Sequence, residues 1–147
     1  MKLKLPLIAA FVAALALTAC GGSSDAPQPV VSPGPAALTK TDTVVGTGAE
    51  AVAGKVATVN YTGWLYSASA TGNKGAQFDT SVGKTPLKFT VGSRDLIPGF
   101  DQGATGMKVG GKRTVFIPAA LGYGDRAQPG IPANSGLVFD IELVAVQ

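Results

Sequence analysis

Histidine is absent from this 147-residue chain, and cysteine occurs once, at Cys20. Those two facts exclude a Ser-His-Asp triad, a Cys-His pair and a histidine-rich metal site. One cysteine also forbids a disulfide framework within the chain. Neither G-x-x-x-x-G-K-S/T nor G-x-G-x-x-G followed by an acidic residue occurs, so nucleotide chemistry is not expected. No basic run or basic-aromatic stripe is present to meet a nucleic acid, and no internal repeat marks a solenoid. Any catalysis is therefore expected to work without a covalent nucleophile, a metal or a cofactor.

What is present begins with an export signal. Lys2 and Lys4 precede a thirteen-residue apolar run, 5–17, which contains Pro6 and is too short to span a bilayer. This is the pattern of a signal peptide. It ends in Leu17-Thr18-Ala19-Cys20, followed by Gly21, and that tetrapeptide resembles a bacterial lipobox. The resemblance implies that Cys20 becomes the lipid-bearing first residue of the mature chain, with a membrane as its partner. Ordinary secretion with an incidental cysteine is the alternative. Gly21, rather than aspartate, after the cysteine resembles outer-membrane sorting, which implies a domain facing the periplasm. Loss of Lys2 and Lys4 leaves ten of twelve basic residues against nine acidic ones. The mature chain is then close to neutral, and its basic excess is a targeting signal.

Residues 21–37 read GGSSDAPQPVVSPGPAA, with four prolines and almost nothing to build a core. They read as a semi-extended tether, ~3.1 Å per residue in polyproline geometry, reaching roughly 50 Å from the lipid. The expected organisation is a signal peptide over 1–19, the lipidated cysteine and tether over 20–37, and one domain over 38–147.

Within that domain, β-branched residues over 41–47, closed by Gly46 and Gly48, predict a first strand and a turn. The clearest strand is 55–66, with Ala57, Val59 and Tyr61 on one face. Gly63 within it marks a bulge or a close backbone approach. The polar stretch 67–75 reads as a long loop, either a tolerated surface insertion or a selector of partners. Residues 76–81 and the alternation of Leu87, Phe89 and Val91 predict two short strands. Pro98 starts a short helix, although Gly99, Gly103 and Gly106 make it a poor helix by propensity. Only burial of Phe100 and Ala104 against a sheet would hold it. After a turn at 108–111, Arg113, Val115 and Ile117 alternate in a strand. Residues 119–136 form a long loop with a turn at Gln128-Pro129-Gly130-Ile131-Pro132. The last strand is 137–146, with Leu137, Phe139, Ile141 and Leu143 inward and Asp140 and Glu142 outward. The sum is an α+β fold, an antiparallel sheet with one short helix packed across it.

Five segments supply an apolar pocket with few polar groups: Val59-Asn60-Tyr61-Thr62-Gly63, Phe78-Asp79-Thr80-Ser81, Ile97-Pro98-Gly99-Phe100, Leu121-Gly122-Tyr123-Gly124 and Leu137-Val138-Phe139-Asp140-Ile141-Glu142-Leu143. In this order and at this spacing they resemble the FKBP-type peptidyl-prolyl cis-trans isomerases, over about residues 38–146. The resemblance implies a strongly bent sheet of about five strands wrapped around the helix. It implies isomerase activity on X-Pro bonds in peptides and unfolded exported proteins, inhibition by macrolides of the rapamycin type, and a pocket made of Tyr61, Phe78, Asp79, Leu87, Phe89, Leu96, Ile97, Phe100, Tyr123, Ile131 and Phe139. The helical dimerisation domain of the macrophage infectivity potentiator type is missing, so a monomer is expected. The chain also departs from the family. Phe100 stands where the most active members carry a tryptophan, Leu87 replaces a common aromatic, Gln128 replaces a frequent histidine, and the loop around Ile131 is one residue short.

Within that resemblance, Asp79, Tyr123, Phe100 and Tyr61 are the residues expected to carry catalysis. Asp79 is the pocket's carboxylate, hydrogen-bonded to Tyr61, its alternative being a turn-capping aspartate. Tyr123 would donate to a substrate carbonyl, and Ile97 would offer its backbone N–H. Phe78, Leu87, Phe89, Leu96, Ile131 and Phe139 would complete the substrate surface, and Trp64 and Phe116 are left to packing. Two other functions compete: a non-catalytic chaperone or peptide-binding module that uses the same groove, and a surface adhesin in which the domain is only scaffold.

Overall fold

The computed structural model describes residues 32–147. The signal peptide, Cys20 and the tether as far as residue 31 lie outside the described residues. In chain order the elements are β1 (Thr39–Val44), β2 (Val56–Tyr66), β3 (Lys74–Thr80), β4 (Leu87–Thr90), α1 (Pro98–Ala104), β5 (Lys112–Ile117) and β6 (Leu137–Val146). Short 3₁₀ turns at Thr71–Asn73 and Ala119–Leu121 interrupt the two stretches expected to be loops throughout.

The strands form one antiparallel sheet in the order β1-β5-β6-β2-β3, with β4 also on β2. The first part of β2, from Val56 to Val59, pairs with β4, and the part from Thr62 to Tyr66 pairs with β3. Six strands therefore fill five positions across the sheet, as expected for an FKBP-like arrangement. Alternation is cleanest in β6, where Leu137, Phe139, Ile141 and Leu143 are all buried on the helix side. Val138 is buried as well, on the other face, beside its cross-strand neighbours Phe116 and Trp64.

The first strand begins and ends earlier than the sequence suggests. Its six residues are all exposed, so no period marks it. The chain leaves the ladder after Val44 because Gly46 is wedged under the backbone of the 108–111 turn, where a Cβ would meet the Lys108 carbonyl. Thr47 and Gly48 then both donate to the Val109 carbonyl, at 3.2 and 3.1 Å.

The helix has seven residues, too few to be stable in isolation. Pro98 sits in its first turn and Ile97 is its N-cap. Its stability comes from an intimate contact with β5. A Cβ at Gly103 would lie 2.7 Å from Val115 Cγ1, and one at Gly99 would collide with Ile117 Cγ2. Glycines that weaken the helix locally thus let its backbone press on the sheet. At the other end Arg113, from β5, is only 9% exposed. Its Nη1 donates to the carbonyls of Gly103 (2.8 Å) and Thr105 (3.0 Å), capping the helix C-terminus, and its Nε donates to Asp42 Oδ1 (2.6 Å). That hydrogen bond holds the Asp42 carboxyl below the usual carboxylate range.

The glycine contact gives a prediction whose sign distinguishes packing from propensity. Gly103→Ala gains up to about 1 kcal/mol of helix propensity, but overpacks β5 at a cost of roughly 1–3 kcal/mol. Urea unfolding followed by Trp64 fluorescence is expected to give a less stable protein.

Candidate active site

Phe100 is the hub of the site. It lies in the first turn of α1, 3% exposed. Its ring makes edge-to-face contacts with Phe139 at 5.1 Å, Tyr61 at 5.7 Å and Phe89 at 5.7 Å between centroids. Phe78 stands edge-on to Phe139 at 5.6 Å. These are the arrangements that aromatic quadrupoles favour. Gly63 makes room for them: a Cβ there would lie 2.7 Å from both Phe139 Cε1 and Phe78 Cζ. The glycine therefore marks a close approach, and β2 also slips register against β3 at this point.

The rings form the floor and one wall of a cavity of about 600 Å³. Nine of the eleven residues expected in the pocket line it: Tyr61, Phe78, Asp79, Leu87, Leu96, Ile97, Phe100, Tyr123 and Phe139. Phe89 and Ile131 do not. Phe89 is buried behind Phe100, and Ile131 is turned into the core by the tight turn it closes with Gln128. Sequence reasoning missed Asp95 and Arg126, which line the cavity, and it noted Gln128 as a turn residue and a departure from the family but not as part of the pocket. All three side chains are exposed turn residues with no local pattern to single them out. None of residues 67–75 lines the cavity. The last two of them, Lys74 and Gly75, already belong to β3, and there Lys74 Nζ sits over the Trp64 ring and bonds Asp140 at 2.7 Å.

Hydrogen bonding in the cavity centres on one pair. Tyr61 Oη donates to Asp79 Oδ2 at 2.6 Å, while Asp79 Oδ1 accepts from the Thr80 backbone N–H at 2.8 Å. Asp79 is thus both the partner of Tyr61 and a local cap. Buried Ser81 fixes the strand behind them: its Oγ accepts from Tyr61 N–H at 2.9 Å and its own N–H donates to the Tyr61 carbonyl at 2.9 Å. Burial, then the hydrogen bond to Asp79 and its charge, push the Tyr61 hydroxyl up to about 12. Among the described residues, neither the Tyr123 hydroxyl nor the Ile97 N–H has a hydrogen-bond partner, and no group of three His, Cys, Asp or Glu is placed to hold a metal.

A bent antiparallel sheet closed on one short helix, with an aromatic cavity between them, defines the FKBP-like class of α+β domain. AtFKBP13 shares it with a TM-score of 0.65 and 38% identity over 78% of this chain and 96% of that one. FkpA from Escherichia coli does so with a TM-score of 0.64 and 38% identity, over 75% of this chain and 48% of that one. The family model for the FKBP-type peptidyl-prolyl cis-trans isomerase matches residues 48–144. The FK506-binding protein of Neisseria meningitidis serogroup A is 46% identical over 69% of this chain and 88% of its own length. FK506-binding protein 1 of Gibberella zeae is 46% identical over 71% and 93%. Against the longer FK506-binding protein 3 of Candida albicans the chain covers only 23% of the relative. The chain belongs to the FKBP-type peptidyl-prolyl cis-trans isomerase family.

The Tyr61–Asp79 pair sets a pH signature. A raised folded-state value means that the fold favours the protonated hydroxyl. That contribution is fully present below the ordinary tyrosine value of 10.0 and is lost as pH rises through about 12. Tyrosinate absorbance is expected to show one of the three tyrosines titrating near 12. Asp79→Ala should bring it back towards the ordinary value.

Proposed function

We propose that this isomerase turns X-Pro bonds in exported proteins by taking the prolyl segment into the aromatic cavity. In this reading it is a monomer, held by lipid on Cys20 at the outer membrane and facing the periplasm. The observation that carries the reading is a cavity floored by Phe100, Phe139 and Phe78 that, among the described residues, presents the unpartnered Tyr123 hydroxyl and Ile97 N–H.

The barrier to rotation about an X-Pro bond comes from amide resonance. Water stabilises the charge-separated planar form by hydrogen-bonding the prolyl carbonyl. Phe78, Phe100 and Phe139 remove that water and receive the proline ring. Tyr61 and Asp79 fix the wall, and the Asp79 charge favours the twisted imide over the planar one. Tyr123 Oη and Ile97 N–H hold the flanking substrate carbonyls. A ~10⁴–10⁶-fold acceleration needs only about 5.5–8 kcal/mol, within reach of packing and desolvation with one or two hydrogen bonds. Slow prolyl isomerisation limits folding, which gives such a catalyst its use on newly exported chains. The relatives named as FK506-binding proteins extend the reading to macrolides of that type, which would fill the same cavity and compete with substrate.

Cis-to-trans isomerisation of a proline tetrapeptide, with and without FK506, tests this. Acceleration abolished by the drug is the expected result. Drug binding without acceleration would instead make the cavity a holding site, the chaperone reading. Among variants, Phe100→Leu opens the floor to water and is expected to lower kcat/KM about tenfold, roughly 1.4 kcal/mol of transition-state stabilisation. Asp79→Asn, which keeps an acceptor for Tyr61, should cost less. The reverse ranking would favour an electrostatic mechanism over desolvation.

A further inference from the structure

One wall of the cavity is a single loop, residues 119–136, which contributes Ala120, Gly122, Tyr123, Gly124, Arg126 and Gln128. The β5–β6 ladder ends just below it, at the Ile117–Leu137 pair. Beyond that rung the two strands no longer bond each other. The Ala119 N–H donates to the Pro33 carbonyl at 2.9 Å, and the Gly136 N–H donates to the Ser32 carbonyl at 2.6 Å. Both roots of the loop are therefore fastened by two consecutive residues of the segment that precedes β1.

The fastening is built for backbone alone. Gly34 has φ +88, and a Cβ on Gly136 would lie 2.6 Å from the Gly34 nitrogen. A Cβ on Gly34 would in turn lie 3.0 Å from Gly136 Cα and 3.1 Å from the Ile117 carbonyl. Two glycines are needed for the strands to meet. From there the bonds run on into the wall. The Ala119 carbonyl accepts from Gly122 (3.0 Å) and Gly124 (2.9 Å), the residues on either side of Tyr123, and the Gly124 carbonyl accepts from Asn134 at 2.6 Å. The Gly136 carbonyl accepts from Tyr66, at the end of β2, at 2.8 Å.

We propose that Ser32-Pro33-Gly34, which the composition assigns to the tether, is a positioning segment of the active site. It staples both roots of the 119–136 wall and so sets where Tyr123 presents its hydroxyl. This rests on the isomerase reading above. The segment touches no substrate and acts only through the wall.

The test uses the full chain with Ser32, Pro33 and Gly34 deleted, and separately Gly136→Ala. Losing one or two backbone hydrogen bonds that hold the wall is expected to lower kcat/KM about three- to tenfold. Amide exchange should rise at Gly122 and Gly124 while β2 amides keep wild-type protection. Reinserting the three residues as Ala-Pro-Gly (Ser32→Ala) should restore both, because the bonds are made by carbonyls. Wild-type kcat/KM in the deletion overturns the proposal, whether or not exchange rises. Exchange that rises equally in β2 also overturns it, since that is a general loss of stability. If the deletion does not fold, as judged by Trp64 fluorescence, Gly136→Ala decides by the same two readouts. A wild-type chain without isomerase activity would defeat the isomerase reading instead, and the local exchange pattern would still decide whether the staple exists.

Discussion

The contact between α1 and β5 is the constraint on which the rest of the domain depends. A seven-residue helix rich in glycine has no stability of its own. Pressed against Val115 and Ile117 without intervening side chains, it becomes part of the core. Its depth in the sheet decides where Phe100 stands, and Phe100 touches three other rings. Arg113 reaches from the same strand to hold the helix C-terminus and to tie down the β1 edge through Asp42. One strand thus sets the helix's height, its far end and a sheet edge.

The site that results has an aromatic floor, with Asp79, Asp95, Tyr123, Arg126 and Gln128 also in its lining, more polar than the sequence suggests. Its one hydrogen-bonded carboxylate, Asp79, accepts from Tyr61 on one oxygen and from the Thr80 N–H on the other. Such a group orients a wall more readily than it moves a proton. Rotation about an X-Pro bond makes and breaks no covalent bond and needs no nucleophile, which suits a chain without histidine.

Much of this was legible in the sequence because it is written in side chains. The alternation of β6 and the position of Pro98 placed a strand and a helix correctly. The five segments from Val59 to Leu143 hold seven of the eleven expected pocket residues, and all seven line the cavity. What was hidden follows a common rule. β1 is exposed throughout, so it carries no period, and its boundary is set by the burial of Gly46 against a distant turn. Gly99 and Gly103 read as helix weaknesses because the strand that requires them lies further along the chain. Phe89 and Phe100 are both inward-facing aromatics, and only the stacking order says which meets the cavity. Asp95 and Arg126 reach the cavity from turns. Ser32 and Pro33 act through carbonyls, which every residue has and which leave no trace in composition.

That last feature also bears on how the domain carries load. A pull arriving along the chain from upstream meets the Ser32 and Pro33 bonds before it reaches the β1–β5 ladder. Two neighbouring bonds at the end of a segment yield one after the other, as a strip peels, whereas the registered pairs of β1 and β5 share a force applied along them. Such a pull therefore reaches the fastening of the cavity wall before it reaches the sheet.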